Sequence, residues 1–244
     1  MRCVVWWSEP LAHAGVVADL LDATERERCA QLRRDADRAR FATGRLLARH
    51  ALAAELGVEP AEIELITCCP TCGGPHGKPR LGGRADDAID FSIAHAGARV
   101  VVATCRGAAV GVDVEPDRAI GELGTARAGV LAAEERAVLH ELAPAQRDGA
   151  FLRYWTRKEA VLKATGDGLM TVAMSDLRVS APDADPAVLV WPPGRLRRPA
   201  QMLDLDIGRG YNGCVAVLTG DVVRWAVLTL AAATTAAAAR PRSP

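Results

Sequence analysis

"VGVDVEP", residues 110–116, alternates valine with glycine, aspartate and glutamate and closes on proline. By the two-residue repeat of a strand, Val110, Val112 and Val114 share one face, and Gly111, Asp113 and Glu115 share the other. The segment is predicted as a strand with a buried valine face. Its two carboxylates project the same way, with α-carbons about 6.6 Å apart. Like charges that close repel unless a cation lies between them, and a hard divalent ion such as Mg²⁺ takes oxygen ligands of this kind. Taken alone, the pair reads equally well as a strand face turned to water.

Upstream, Ile89, Phe91 and Ile93 alternate with Asp90, Ser92 and Ala94, "HAGA" turns, and Val100 to Thr104 return, a hairpin pattern. "CVVWW" (3–7) reads as a short strand. Residues 24–56 carry helical spacing, read as two helices with Gly57 as the C-terminal stop. "PAEIELITC" reads as a helical turn entering a strand, and residues 68–83 as a Gly/Pro-rich loop. Downstream, 126–142 and 147–165 read as helices. "RVSAP", "AVLVWP", "QMLDLDI", "YNGCVAVLTG" and "VVRWAVLTL" read as short strands. The order strand, helices, strands occurs twice. It predicts an α+β fold of two similar halves related by a pseudo-twofold, residues 1–108 and 109–230, with the boundary near 106–110. The low-complexity tail 231–244 is expected to be disordered. "VGVDVEP" then falls at the seam between the halves, where ligand sites often form.

Half of the 244 residues are hydrophobic and 4% aromatic, so the core must be built mainly from Ala, Val, Leu and Ile. Thirty basic and thirty acidic residues give no net charge. No global field therefore points to nucleic acid or disorder. The N-terminus lacks the pattern of a signal peptide, and no run approaches the roughly 18 apolar residues of a membrane helix. A cytoplasmic, monomeric protein without membrane attachment is expected, and seven cysteines are read as reduced thiols. Cys69 and Cys72, with Cys68 and His76 nearby, make half a zinc site at best, since closed sites need four ligands. His13, His50 and His140 are read as structural, and "RLRRP" (195–199) as a basic loop.

Of the basic residues only Lys78, Lys158 and Lys163 are lysine; all others are arginine. In an arginine-writing sequence these mark sites that need a compact ammonium. Two of them fall in "FLRYWTRKEAVLKATGDGL", residues 151–169. At about 100° per residue, Phe151, Leu152, Tyr154, Trp155, Val161 and Leu162 form one apolar arc. Lys158 and Glu159 fall inside the arc and Lys163 at its edge, with Arg153, Arg157 and Ala160 opposite. Glu159 and Lys163 also suit an ordinary i,i+4 ion pair, which leaves Lys158 unexplained. A third carboxylate from this helix would complete a metal site begun by Asp113 and Glu115, and nearby lysines point to a polyanionic ligand.

"GVDVEP" followed some forty residues later by "WTRKEAVLKATGDGL" resembles the paired signature of the 4′-phosphopantetheinyl transferases. "RFATGRLLAR" (40–49), "GKPRL" (77–81) and "FSIAHAG" (91–97) match further blocks of the surfactin-synthetase-activating branch in the same order. The resemblance spans roughly residues 25–170. It departs from the family pattern at Ala94, where a polar residue is usual, and in "VLAAEE", which lacks an aromatic.

The resemblance implies transfer of the phosphopantetheine arm of coenzyme A to a serine of a carrier protein, releasing adenosine 3′,5′-bisphosphate. The carrier would be an acyl, peptidyl or polyketide carrier presenting an acidic helix. It implies Asp113, Glu115 and Glu159 as ligands of Mg²⁺, or of Mn²⁺, and Lys158 and Lys163 as pyrophosphate-neutralising residues. It further implies His95 and Ser92 at the 3′-phosphate end, Arg40 as a coenzyme-A-binding arginine and Lys78 in the adenine-side loop. Arg33 or Arg34 stands where the family has further basic residues. The leaving-group charge would be met by Lys163. For the base that takes the serine proton, Glu159 and Glu135 are both candidates. Two other functions compete. A coenzyme-A-dependent acyltransferase needs a Gly-rich pyrophosphate loop opening a helix, which is not apparent here. A non-catalytic carrier-binding module would have no need of three acids and two lysines.

Overall fold

The computed structural model describes residues 1–11, 21–68, 73–74, 77–83, 88–117, 127–166, 172–194 and 199–230. The tail 231–244, His13, the Cys69, Cys72 and His76 positions, and residues 195–198 lie outside the described residues. The chain opens with β1 (Arg2–Ser8), α1 (Ala23–Gln31) and α2 (Asp35–Leu56). A 3₁₀ turn (Pro60–Glu62), β2 (Leu65–Ile66) and β3 (Arg80–Leu81) lead to the hairpin β4 (Ile89–Ala96) and β5 (Arg99–Arg106). Then come β6 (Val110–Pro116), α3 (Arg127–Val130), α4 (Ala133–Glu141) and α5 (Pro144–Thr165). A second 3₁₀ turn (Met174–Asp176), β7 (Arg178–Val179), β8 (Val188–Val190), β9 (Gln201–Asp204), β10 (Tyr211–Val217) and β11 (Arg224–Thr229) complete it.

Side-chain parity sorts these elements into layers. One sheet has the order β11-β1-β5-β4, the other β6-β10-β9. On β1 and β5, Val4, Trp6, Val100 and Val102 pack with Leu47, Ala51 and Leu52 of α2. Their alternate residues, Cys3, Val5, Val101 and Ala103, face the other way, onto Val110, Val112, Val114 and Val215 of the second sheet. On β10 the complementary parity, Cys214 and Ala216, packs with Phe151 and Val161 of α5. The result is helix, sheet, sheet, helix, two α+β units packed sheet to sheet. The valine face of β6 is buried between the sheets at 0–1% exposure, worth about 1.5–3 kcal/mol per side chain. Its acidic face is turned toward α5.

Each sheet carries one 22-residue helix, and each helix ends on a left-handed glycine, Gly57 at φ 69° and Gly166 at φ 76°. Glycine takes this conformation with the least strain. The strand pairing does not keep to the expected division at residue 108. β11 pairs in parallel with β1, Arg2 opposite Arg224 through Trp7 opposite Thr229, so residues 224–229 complete the N-terminal sheet and not the C-terminal one. Parallel pairing between chain ends leaves no local trace in sequence. No helix among the described residues is long and apolar enough to cross a membrane.

Candidate functional site

The site begins with a missing side chain. A β-carbon built on Gly111 would lie 2.0 Å from the Ala160 carbonyl oxygen and 2.4 Å from the Ala164 nitrogen. α5 therefore rests directly on the backbone of β6 there, and the next outward residue along the strand, Asp113, meets the same helix. The Lys163 ammonium lies 2.6 Å from Asp113 Oδ1. Asp113 and Glu159 are each 5% exposed, and Asp113 Oδ2 and Glu159 Oε1 are buried with no hydrogen-bond partner among the described residues.

The electrostatics follow from this crowding. Burial pushes the Asp113 carboxyl above its ordinary value, opposed by Lys163. Burial and then the Asp113 charge push Glu159 up to about 7. Burial pulls Lys163 down, but the carboxylates of Asp113, Glu159 and Glu115 outweigh it and hold the ammonium above its usual value. Glu115 thus belongs to the same field, one strand repeat beyond Asp113. Among the described residues no group of three His, Cys, Asp or Glu side chains is placed to hold a metal ion. The arrangement has instead a lysine against one carboxylate, with two orphaned carboxylate oxygens. Unpartnered buried oxygens on facing elements are a donor set that fits a hard divalent cation.

The nucleotide-side candidates come from the first sheet. Arg40 of α2 donates to the Gly97 carbonyl at 3.0 Å and pairs with Asp37. His95 stands at the same hairpin end. Desolvation, and then the Arg40 and Lys163 cations, hold its imidazole below the ordinary value. Lys78 pairs with Asp90 and donates to the Val110 carbonyl at 2.8 Å. It also lines a cavity of about 480 Å³ together with Arg80, Phe91, Ala108, Ala164 and Gly166. Ser92 is 3% exposed and accepts from Val112 N at 3.2 Å. It is turned to the strand, not to the cavity. Asp90 accepts from Val110 N at 2.8 Å. The edge of β6 that faces β4 is thus satisfied by side chains in place of a ladder. The sequence signal for Asp90 is that it shares Ser92's face on a strand whose other face is apolar.

Two candidates go elsewhere. Lys158 is fully buried and Glu135 is 2% exposed; they form an ion pair of 2.5 Å. The other Lys158 contacts are the carbonyls of Val130 at 2.7 Å and Met174 at 2.9 Å, so all three ammonium protons have acceptors. Glu135 also accepts from Ala132 N and Val179 N, at 2.8 and 2.9 Å. This corrects the expectation that Lys158 meets pyrophosphate and Glu135 is a candidate base: both are spent in joining α4, α5 and the strand β7. The helix arc needs the same correction. Arg157 and Ala160, expected opposite the apolar face, are 0% exposed, and Arg157 bonds Asp204, Ser180, Ala181 and Ala184. α5 is packed on both sides.

Two family models match the chain. One described as the 4′-phosphopantetheinyl transferase superfamily covers residues 109–214. One described as the N-terminal region of 4′-phosphopantetheinyl transferase covers residues 6–107. Among curated proteins, the 4′-phosphopantetheinyl transferase HetI of a Nostoc species is 32% identical over 157 residues, 64% of this chain and 63% of that protein. A phosphopantetheinyl transferase of a Thraustochytrium species is 31% identical over 180 residues, 69% of this chain and 60% of that protein. A 4′-phosphopantetheinyl transferase of Bacillus subtilis is 28% identical over 61% of this chain and 62% of that protein. The matched stretches thus span about three-fifths of these relatives. A crystal structure of a holo-(acyl-carrier-protein) synthase from Bacillus anthracis in complex with CoA (3′,5′-ADP) aligns at 20% identity and a TM-score of 0.40, over 46% of this chain and 96% of that one.

Proposed function

Starting from the chain's membership of the 4′-phosphopantetheinyl transferase superfamily, to which it belongs, we propose that it transfers the phosphopantetheine arm of coenzyme A to a serine of a carrier protein and releases adenosine 3′,5′-bisphosphate. The observation that carries the proposal is the facing of Asp113 and Glu159, each with a buried unpartnered oxygen, beside the Lys163 ammonium. Asp113 and Glu159, with Glu115, would hold Mg²⁺ or Mn²⁺. When bound, the ion would draw charge from the pyrophosphate oxygens and lower the cost of a departing phosphate.

The chain's own residues supply the rest. Lys163, a third exposed, can reach from Asp113 toward a phosphate oxygen and neutralise charge on the leaving group. Arg40 and His95 would hold the 3′-phosphate at the hairpin end, and the cavity beside Lys78 would receive the adenine side. Glu159 as carboxylate takes the proton of the attacking serine hydroxyl. The N-terminal sheet thus contributes nucleotide contacts and the α5–β6 layer contributes the reacting end. The carrier is a protein with an acidic helix beside its serine.

The test is intact-mass measurement of acyl, peptidyl and polyketide carrier proteins incubated with the protein, coenzyme A and Mg²⁺. At least one should gain the mass of one phosphopantetheine, and a chelator should abolish the gain. No gain on any carrier, with coenzyme A bound equally well in chelator, would overturn the proposal in favour of a carrier-binding module or another coenzyme-A-using enzyme.

A further inference from the structure

Arg99, the first residue of β5, contacts residues of both sheets. Its guanidinium carbon lies 4.9 Å from the Trp7 ring centroid and 4.7 Å from that of Tyr211, a cation between two aromatic faces. Arg99 Nε donates to the Ile207 carbonyl at 2.7 Å, and Nη1 donates to Glu9 at 3.1 Å and to the Ala98 carbonyl at 2.8 Å. Tyr211 closes the same knot, its hydroxyl accepting from Ala98 N at 2.6 Å.

The chain leaves room for this. Gly97 at φ 55° sits where a β-carbon would come 2.6 Å from the Tyr211 hydroxyl, and Gly208 at φ 97° where one would come 2.8 Å from Arg99 Nη2. At both positions the positive φ disfavours any other residue, and an added β-carbon would press on the Tyr211 or Arg99 side chain.

What the knot joins decides its role. Residues 97–98 are the turn of the β4–β5 hairpin, held on one side by Arg40 through the Gly97 carbonyl and on the other by Arg99 and Tyr211. His95 is two residues before that turn. Tyr211 is the register partner of Pro116, and its neighbour Asn212 that of Glu115. Arg99 thus ties the hairpin end that bears His95, and that Arg40 of α2 holds through Gly97, to the end of β6 bearing Glu115. Resting on the reading above, in which His95 and Arg40 meet the 3′-phosphate, we propose that Arg99, sandwiched by Trp7 and Tyr211, is a positioning residue for 3′-phosphate recognition. It touches no substrate. It sets where the hairpin turn stands relative to the second sheet.

The test compares calorimetric affinities of the full chain for 3′,5′-ADP and for 5′-ADP, which lacks the 3′-phosphate. Arg99→Lys keeps the charge and loses the planar sandwich; Tyr211→Phe keeps the ring and loses the acceptor for Ala98 N. The wild type should prefer 3′,5′-ADP, and each variant should lose about fivefold or more of that preference, a measurable change in binding free energy, with 5′-ADP affinity unchanged. A melting temperature close to wild type in Tyr211→Phe separates this from unfolding should Arg99→Lys fold poorly. Variants that keep the full preference, or that weaken both nucleotides equally, overturn the assignment of Arg99 alone. A wild type that binds the two nucleotides alike overturns it together with the 3′-phosphate reading of His95 and Arg40.

Discussion

Lys163 Nζ lies 2.6 Å from Oδ1 of Asp113 across the contact between α5 and β6, while Oδ2 of the same carboxylate has no partner among the described residues. One lysine therefore serves as the counter-charge of a buried strand aspartate with half of its capacity unused. Asp113→Asn keeps the shape and removes the charge. Transfer to a carrier protein should fall by at least about a hundredfold. The melting temperature should stay within a few degrees, because Lys163 is exposed enough to be solvated once released. Normal turnover in a folded Asp113→Asn protein would refute the ligand role.

Lys163→Met leaves Asp113 and Glu159 facing each other without a cation. In chelator the variant should melt below wild type, since two buried like charges destabilise each other. Added MnCl₂ should raise its melting temperature by more than that of wild type, because a ligand that binds only the folded state stabilises it. Thermal denaturation with and without the metal measures both. An equal or smaller metal-induced shift in the variant contradicts the picture of Lys163 as the resident counter-charge.

Glu159 carries the pH prediction for the metal-free protein. Its folded-state pKa, about 7, lies above its ordinary 4.5, so the folded protein binds its proton more tightly than the unfolded chain does. That preference is complete below the ordinary value and is lost as pH rises through about 7. Glu159→Gln removes the buried charge. In chelator the variant should match wild type near pH 5 and exceed it by about 1–3 kcal/mol at pH 8, measured by urea denaturation. A constant difference across that range would show that Glu159 does not titrate as placed.

How much of this was readable from sequence depends on whether the cause is local. The alternation of "VGVDVEP" named both faces of β6 because a strand's parity is a local property. The arginine background likewise marked all three lysines, and each proves to be seated against a carboxylate. Sequence could not say which carboxylate. Lys158 and Glu135 lie 23 positions apart and use the same residue types as the site, yet face the interior between α4, α5 and β7. A helical wheel assumes one wet side, and α5 has none over Thr156–Leu162, so the face expected for Arg157 does not exist there. The seating of β11 beside β1 depends on chain ends meeting, which no periodicity records.

Gly111→Ala tests the depth at which α5 lies on β6. Its β-carbon would meet backbone atoms at 2.0 and 2.4 Å, and neither a carbonyl nor a helix nitrogen can rotate away. The helix must lift, and Lys163 and Glu159 lift with it. The expected loss is about 3 kcal/mol or more of stability, accompanied by reduced transfer per folded molecule. Urea denaturation and carrier-modification rates measure the two parts. A stable, fully active Gly111→Ala protein would show that the close approach is not what sets the site.

The Glu135–Lys158 pair separates stability from chemistry. Lys158→Met leaves a buried carboxylate without its cation and two carbonyls without their donor, a loss of about 3–5 kcal/mol. Adding Glu135→Gln to it removes the stranded charge, so the double variant should recover part of that loss. The single and double variants together form a cycle whose coupling term measures the pair. Glu135→Gln alone should retain transfer within about threefold per folded molecule, with the wild-type pH profile, because a carboxylate at 2% exposure holding Lys158, Ala132 N and Val179 N has no route to a serine proton. A Glu135→Gln protein that melts like wild type yet loses transfer by a thousandfold would return Glu135 to the position of base and displace Glu159 from it.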